Sequence, residues 1–457
     1  MLSIPAMWAV YAALTFLVIG NGFFKPNVST MVGNLYPEGS HLKDRAYNIF
    51  YMGINIGAFA APIVMEVVKS YFGFHAAFAV AAFGMLISVG ILWYFKGLVE
   101  DPNALAERQR NRASEKANVA ATAVDAPPSG VSDQERDENS APRTANQSRQ
   151  DTMNAVPNWK RIMALIVIFA IVIVFWMVFH QNGSTLTYWA DDNTAWNVSG
   201  TISNSINAFW VVTLTFPLIW FWGFLDKRGK EPATPTKMAI GMTLTGLSFL
   251  VLWYGATLGE SQTPTAQQLA AGEFRINERV VTNLGAQGVP KDILDKIVAA
   301  KAPDGKNLIY GVKFSPKEDA TTKQVVSGEQ QLMNALNTVV PGQVAQFRDA
   351  FMQRAYLFRV SAFWLIFAYA VVTLGELMLS PMGLSLVSKV APINLRGLLM
   401  GGWFVATAIG NKLTQIGIFW DIWLQSTFFL VLAGMALVMA VVLFLLLKPL
   451  KKAMPGV

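Results

Sequence analysis

The amino-acid sequence predicts an all-α integral membrane protein, and three observations support this fold class. The chain of 457 residues is 53% hydrophobic and only 14% charged, which is too apolar for a soluble protein of this length. Nine apolar segments reach the roughly 20 residues that a helix needs to cross a bilayer. Basic residues gather in particular short loops, which is the pattern that orients membrane helices.

The nine segments are predicted to be helices because an apolar run in lipid must satisfy its backbone hydrogen bonds internally. The first three precede a long polar stretch, and the other six follow it. They cover residues 6–24, 46–65, 76–95, 162–181, 202–225, 238–258, 360–382, 397–419 and 424–447.

Charged loops predict the orientation of these helices. Lysines and arginines follow the first, fifth and ninth segments, at residues 43–45, 227–230 and 448–452, whereas the loop after the fourth contains Asp191 and Asp192 and no basic residue. We therefore expect the basic loops in the cytoplasm, the N-terminus outside and the C-terminus inside, in a cell (inner) membrane. This distribution accounts for the net charge of +7, so no nucleic-acid partner is expected.

Two polar regions separate the helices and differ in kind. Residues 100 to 157 mix Pro, Ala and charged residues without apolar periodicity and are predicted to be a disordered cytoplasmic linker. Residues 259 to 358, hereafter the insertion, are predicted to form a small outside domain, mostly helical. Its candidate buried positions are Ile293, Leu294, Ile297, Val298, Leu332, Leu336, Phe347 and Phe351. The insertion has no assignable motif; stabilisation, substrate capture and partner binding remain alternatives.

A repeat in the proline spacing predicts two related bundles. Pro26 and Pro37 have the same spacing as Pro381 and Pro392, so the first three helices resemble the last three. The second half then forms a complete six-helix bundle, and the first half contains only three of its six helices. The predicted domains are 1–99, 100–157, 158–258, 259–358 and 359–450.

Glu376 is a lone carboxylate within the apolar run from 360 to 387. An acid at this depth costs several kcal/mol unless it meets a cation, a proton or a substrate. Transport is therefore the first functional hypothesis, and an internal ion pair with a neighbouring helix is the structural alternative.

Other function classes find little support in the sequence. The chain has no cysteine, which excludes disulfides and thiol chemistry, and its three histidines are not grouped as a metal or catalytic site. Gly305 and Lys306 lack the remaining residues of a phosphate-binding loop. Neither an enzyme, nor a cofactor or metal, nor ATP-driven transport is expected.

Several separated motifs resemble the proton-coupled oligopeptide transporter family of the major facilitator superfamily. These are GNGFFKPNVSTMVGNLY, RAYNIFYMGINIGAFAAP, FWMVFHQNGS, KRGKEPATPTKMAIGM, GELMLSPMGLSLVSKVAP and MGGWFVATAIGNKL. The resemblance covers nearly all membrane segments but neither the linker nor the insertion. It implies major facilitator-like bundles, in a family of at least twelve helices. Our first helix would correspond to the family's fourth and our seventh to its tenth, with the first three lacking.

The resemblance also implies charged substrate-binding residues. Glu376 is similar to the family acid that pairs with a peptide's amino terminus, and Ser380 to its hydrogen-bonding serine. Lys25 resembles the lysine that helps bind the peptide carboxylate and takes part in coupling. From composition alone, Lys25 could instead be a snorkelling lysine at a helix end, and Ser380 could bond its own backbone.

Neutral residues complete the implied binding site. Asn55 and Asn207 match family asparagines, although Ala208 stands where the family often has proline. Trp176 and Trp403 occupy positions that could supply flat walls for variable side chains. Packing between membrane helices is the alternative role for all four residues.

His180 departs from the family, which usually has an acid at this position that helps carry the proton. An imidazole titrates near neutral pH, so Lys25, His180 and Glu376 are the proton-coupling candidates. A histidine facing the outer vestibule is the alternative. The family's Glu-x-x-Glu-Arg motif is absent from the sequence.

The function these observations favour is import of di- and tripeptides by proton symport with alternating access. The peptide would lie between Glu376 and Lys25, and the protein is expected to act as a monomer in the bilayer. The alternatives are a non-transporting peptide-binding receptor or scaffold, a truncated inactive relative, or a transporter of another small anion such as nitrate.

Overall fold

The computed structural model of the protein describes residues 2, 4, 6–36, 42–98, 153, 155–198, 200–318 and 324–455. The predicted linker, residues 100 to 157, lies almost entirely outside the described residues. Within them the chain is predominantly helical, and its few strands are two residues long and pair in twos. This helical character confirms the predicted fold class.

Two long helices precede the linker, α1 (Met7–Asn34) and α2 (Leu42–Tyr94). The predicted end of the first helix at residue 24 is wrong, because α1 continues through Pro26. Pro26 has no N–H to donate to the preceding turn. The side-chain amide of the next residue, Asn27, donates to the carbonyl oxygen of Phe23 at 2.6 Å and adds a hydrogen bond beside the proline.

Helix α2 is interrupted between the two segments that the sequence separates, 46–65 and 76–95. The interruption is at Gly73, whose φ of 82° lies in a region that side chains disfavour. Large apolar residues on α1 and α2 are widely exposed, as a helix in contact with lipid requires. Examples more than half exposed are Trp8, Phe23, Tyr71, Leu86 and Trp93.

Three further helical stretches lie between the linker and the insertion. The first is not continuous, because a 3₁₀ turn at His180–Gly183 separates two α-helices. The elements are α3 (Asn158–Phe179), α4 (Thr185–Asp192), strand β1 (Thr194–Ala195), α5 (Gly200–Asp226) and α6 (Thr234–Glu260).

The insertion consists of short helices and short strands around a hydrophobic core of its own. Its elements are α7 (Ala266–Ala271), β2 (Phe274–Arg275), α8 (Glu278–Ala286), α9 (Lys291–Ala299), β3 (Lys313–Phe314), β4 (Lys317–Glu318), β5 (Val325–Val326), α10 (Gly328–Val339) and α11 (Arg348–Ala355). The predicted buried positions Ile293, Leu294, Ile297, Leu332, Leu336 and Phe351 are confirmed. Phe347 is partly buried against the same core, whereas Val298 is 37% exposed, so its predicted burial is wrong.

Four helices follow the insertion. They and their flanking elements are β6 (Val360–Ser361), α12 (Ala362–Leu377), α13 (Ser380–Val390), α14 (Arg396–Leu413), a 3₁₀ helix (Thr414–Asp421) and α15 (Gln425–Ala453). The break between α12 and α13 confirms the predicted interruption of the seventh membrane helix at residues 376 to 381. Pro381 lies at the start of α13, where its missing N–H costs least.

Eight helical stretches among the described residues are long and apolar enough to cross a membrane. They are Met7–Asn34, Leu42–Met65, Val67–Tyr94, Asn158–Asp192, Ile202–Asp226, Thr234–Glu260, Ala362–Val390 and Gln425–Ala453. The remaining predicted segment, 397–419, is α14 with its 3₁₀ extension. It is a regular helix, but it is shorter and carries Arg396 and Lys412 at its ends.

A buried charge cluster joins α2 to the helices that follow the linker. Asp44 is 8% exposed. One of its carboxylate oxygens accepts a hydrogen bond from Lys389 at 2.6 Å and another from Ser385. Its other oxygen lies 3.5 Å from Lys237, which also pairs with Glu231 at 2.6 Å. The first turn of α2 is thereby attached to both α6 and α13.

Candidate functional site

Glu376 lies in the last turn of α12, next to the break before α13, and is 2% exposed. The carbonyl end of a helix carries partial negative charge, so a carboxylate there needs donors or a cation. Two donors come from other helices. The Tyr51 hydroxyl donates to one oxygen, and the Asn207 side chain donates to the other at 2.9 Å.

The same asparagine amide also donates to the Thr373 hydroxyl oxygen at 2.9 Å, so α2, α5 and α12 meet at Glu376. The structure thus brings together the predicted residues Glu376 and Asn207. It adds Tyr51 and Thr373, which sequence reasoning missed. Tyr51 lies four positions before Asn55 on one helix face, and this spacing was the available signal.

Lys25 and Glu376 form no ion pair in the part of the chain that the structure describes. Lys25 is an exposed residue of α1. Glu376 is therefore a buried acid held by neutral hydrogen-bond donors. A cation of suitable shape is the chemical group that this arrangement lacks.

Asn55 and Ser380 differ in the hydrogen bonds of their side chains. Asn55 is 7% exposed, and its amide donates to the Tyr51 carbonyl of its own helix at 2.9 Å. The hydroxyl oxygen of Ser380 is buried and makes no hydrogen bond of standard geometry among the described residues. A binding role for Ser380 stays a prediction.

His180 and Trp176 form a stacked pair on α3 and the 3₁₀ turn. Their ring centres are 4.8 Å apart, and Nδ1 of His180 lies 2.9 Å from the Trp176 carbonyl oxygen. Since a carbonyl only accepts, Nδ1 carries the hydrogen in this contact, and the neutral ring has its lone pair on Nε2. Trp176 is itself buried, and its indole N–H has no partner among the described residues.

Gln181 holds the turn next to this pair, a role that sequence reasoning did not assign. It is fully buried, and its amide donates to the carbonyl oxygens of Met177 and Thr414 at 3.3 and 3.2 Å. Its side-chain oxygen accepts from Thr185 at 2.9 Å and from Ser184 at 3.3 Å. These bonds replace helical hydrogen bonds that the turn interrupts.

Trp403 is buried between α13 and α14. It is 2% exposed and meets Phe169 edge to face, with ring centres 6.1 Å apart. Its ring lies directly on Gly383, where an added Cβ would be 1.9 Å from a ring carbon. Close packing between α13 and α14 depends on this glycine.

Replacing Gly383 by alanine is expected to destabilise the protein by about 1–3 kcal/mol, because the added methyl group must displace the Trp403 ring. The measurement is thermal unfolding followed by tryptophan fluorescence. Gly401→Ala is the matched control on α14, since a Cβ there meets nothing within 4 Å. Equal melting temperatures for the two variants would show that the indole is not packed on Gly383.

The described residues contain no group of three or more His, Asp or Glu placed to hold a metal ion. The polar groups that converge are instead one carboxylate, one amide and two hydroxyls, from α2, α5 and α12. This chemistry suits recognition of a small polar or charged molecule by hydrogen bonds.

Comparison with known proteins supports the fold. Residues 3–297 match the family model described as PTR2, POT family. YclF of Bacillus subtilis, described as an uncharacterized transporter, is 23% identical over 474 residues, covering 98% of this chain and 76% of that protein. A di-/tripeptide transporter of Lactococcus lactis subsp. lactis is 22% identical over 467 residues, covering 98% of this chain and 77% of that protein.

Solved structures agree with these relatives. A crystal structure described as the peptide transporter POT in complex with sulfate has a TM-score of 0.53 and 21% identity to this chain, covering 99% of it and 77% of that structure. The shared feature is the major facilitator-like arrangement of membrane helices, which confirms the predicted fold.

Proposed function

The chain belongs to the POT family, and on this premise we propose that it imports di- and tripeptides together with protons. The observation that carries the proposal is Glu376, a buried carboxylate with neutral donors and no cationic partner among the described residues. The protonated amino terminus of a peptide supplies the missing cation. The relative from Lactococcus lactis is named for the same substrates.

The polar groups around Glu376 suit the remainder of a small peptide. Asn207 donates to the carboxylate from a neighbouring helix, and the unpartnered Ser380 hydroxyl lies on α13 just beyond the helix break. Lys25 is free of ion pairs with described acids and supplies a positive charge for the peptide carboxylate. Recognition of the two charged ends leaves the side chains of the peptide largely unspecified.

Proton coupling in this proposal involves His180. Its Nδ1 is bonded to the Trp176 carbonyl oxygen, so Nε2 is the nitrogen that accepts a proton. Protonation of this ring adds a second positive charge to that of Lys25. Repulsion between the two cations favours binding of the peptide carboxylate next to Lys25. Histidine thereby takes the place of the acid usual in the family. A proton adds one positive charge in both cases, but it makes histidine a cation whereas it makes an acid neutral.

Replacing His180 by glutamine is expected to abolish the stimulation of peptide uptake by an inward proton gradient, since glutamine does not titrate. Uptake without a gradient should persist. His180→Glu restores a titratable group of the family type and should retain stimulation. His75→Gln is the matched control, because His75 is a histidine of α2 with only a backbone contact to Leu2. Full gradient stimulation of the His180→Gln protein would exclude a coupling role.

The experiment that tests the function is uptake of labelled dialanine by the purified protein in liposomes, with and without an inward proton gradient. Gradient-driven accumulation supports the proposal. Binding of dialanine without accumulation would indicate a receptor, and competition by nitrate would indicate an anion transporter. Absence of both binding and uptake would reject peptide as the substrate.

Several finer predictions remain part of the proposal. These are the domain boundaries, the correspondence of α1 to the family's fourth helix, the orientation with a cytoplasmic C-terminus, the inner membrane and the monomeric state. Protease protection of residues 259 to 358 in sealed vesicles tests the orientation.

A further inference from the structure

The insertion is attached by charged side chains to the helix that continues from His180. We propose that Arg275 and Lys313 position α4 by clamping Asp192, and that they are thereby positioning residues for transport. This inference rests on the proposed function, because it assigns the insertion a part in holding the coupling helix. We call Asp192, Arg275 and Lys313 the Asp192 clamp.

The geometry of the Asp192 clamp is specific. Strands β2 and β3 pair so that Arg275 and Lys313 lie opposite each other, and both extend to the same carboxylate. Arg275 bonds both oxygens of Asp192, and the Lys313 ammonium lies 3.1 Å from one of them. Asp192 is only 3% exposed. A buried carboxylate with a two-pronged arginine contact is held in orientation as well as in position.

Within the insertion, a second acid, Glu273, pairs with Lys313 of the clamp. Glu273 lies 2.9 Å from Lys313 and 2.8 Å from Arg359, and it accepts from Ser315 at 3.0 Å. Burial of the Glu273 carboxyl works to raise its pKa, but these partners outweigh burial and hold the pKa below its usual value. Glu273 is therefore an anion at neutral pH, and Lys313 is shared between two carboxylates.

The chain that follows α4 is tied to the same end of the insertion. The Asn193 side chain donates to the Phe358 carbonyl oxygen at 3.0 Å, and the Val360 N–H donates to the Asn193 carbonyl oxygen at 2.9 Å. Strand β1 then pairs in parallel with β6, directly before α12 begins. The position of the end of α4 is thus set against the helix that contains Glu376.

At its other end, α4 does not continue directly from a regular helix. The 3₁₀ turn that contains His180 separates α4 from α3, and a side chain at Gly183 would meet nothing within 4 Å. The Gln181 side chain holds this turn by hydrogen bonds to Thr414 and Thr185. Buried Trp189 packs α4 edge to face against Phe358, Trp420 and Phe429. The Asp192 clamp adds the charged contact that fixes the last residue of the helix.

The insertion is also attached to a second part of the membrane bundle. Arg279 donates to the Trp423 carbonyl oxygen at 3.0 Å and to the Gln425 side-chain oxygen at 2.5 Å. Asn277 donates to Asp421 at 3.0 Å. These partners lie at the start of α15 and in the 3₁₀ helix before it. The insertion therefore spans from α4 to α15 and resists displacement of one relative to the other.

The test uses the full chain in lipid nanodiscs and liposomes, with Asp192→Asn as the principal variant. The chain has no cysteine, so one pair of spin labels can be introduced with Tyr188→Cys on α4 and Leu430→Cys on α15 in the same molecule, both at exposed positions. We expect the wild-type distance distribution between the labels to be narrow and that of Asp192→Asn to be broad. Arg275→Gln and Lys313→Gln should each broaden it less than Asp192→Asn.

Transport provides a second readout. Maximal dialanine uptake by Asp192→Asn is expected to fall about tenfold, as small misplacement of a functional group does, with KM nearly unchanged. Asp192→Glu keeps the charge and should recover part of the rate. Arg348→Gln is the control, because Arg348 pairs with Glu329 within the insertion and is half exposed.

The outcomes separate this inference from the proposed function. An unchanged distance distribution in Asp192→Asn would overturn the clamp, whatever the uptake result. Equal broadening in Arg348→Gln would also overturn it, because the effect would then reflect general loosening of the insertion. If the wild-type protein takes up no peptide, the proposed function fails, and the distance measurement still decides whether the clamp positions α4.

Discussion

Glu376→Gln is expected to lower the initial rate of dialanine uptake by about 100-fold, because losing one partner of a buried charge pair costs ~2–5 kcal/mol. Glutamine is close in shape and can still bond Tyr51 and Asn207, so the helices should stay in place. What it lacks is the negative charge that meets the amino terminus of a peptide. The measurement is concentration-dependent uptake in liposomes at fixed pH on both sides.

The control for this variant is Glu329→Gln, the same change at the pair that Glu329 forms with exposed Arg348 in the insertion. Its uptake should match that of the wild type. Melting temperatures of both variants show whether a loss of uptake is a loss of folding. If folded Glu376→Gln protein transports dialanine at the wild-type rate, Glu376 is a structural acid, and the proposed recognition of the amino terminus is wrong.

Asp44→Asn is expected to destabilise the protein by about 3–5 kcal/mol, since removing one member of a buried ion pair leaves the other charge uncompensated. Lys389 is the residue left without its acid, whereas Lys237 keeps Glu231. Thermal unfolding in detergent, followed by tryptophan fluorescence, measures the loss. We expect the double variant Asp44→Asn with Lys389→Gln to be more stable than the single variant, because it removes the orphaned charge.

An exposed ion pair nearby serves as the comparison. Arg45 and Asp226 lie 3.4 Å apart with side chains 37% and 45% exposed, so Arg45→Gln should cost no more than about 1 kcal/mol. A similar melting temperature for Arg45→Gln and Asp44→Asn would contradict the account of the cluster. It would mean that water reaches Asp44 and screens its charge.

Parts of the candidate site were predictable from the sequence. Glu376 was found because an acid in an apolar run is expensive, and that cost depends only on neighbouring residues in the chain. Asn207 was singled out through its motif, and its side chain donates to Glu376. Its binding role stays a prediction. His180 was recognised as a departure, and its Nδ1 contact then showed which nitrogen remains for a proton.

Other residues of the site were not predictable. The spacing of Tyr51 from Asn55 indicates a shared helix face, but it does not identify the partner, which is an acid 325 positions away. Trp403 was predicted as a wall of the cavity, and the structure places it on Gly383 inside the bundle. Tryptophan is large and apolar enough for either role, and only the shape of its neighbours distinguishes them.

The sequence by itself determined the membrane class, the positions of the helices and the break beside Glu376. These follow from the length of apolar runs, from proline and from the cost of buried charge, all of which act over a few turns of chain. Tertiary structure alone decided that Tyr51 and Asn207 hold Glu376, that Asp44 joins α2 to α6 and α13, and that the insertion grips Asp192. Each of these contacts joins residues far apart in the chain, and it exists only because packed helices bring particular faces together.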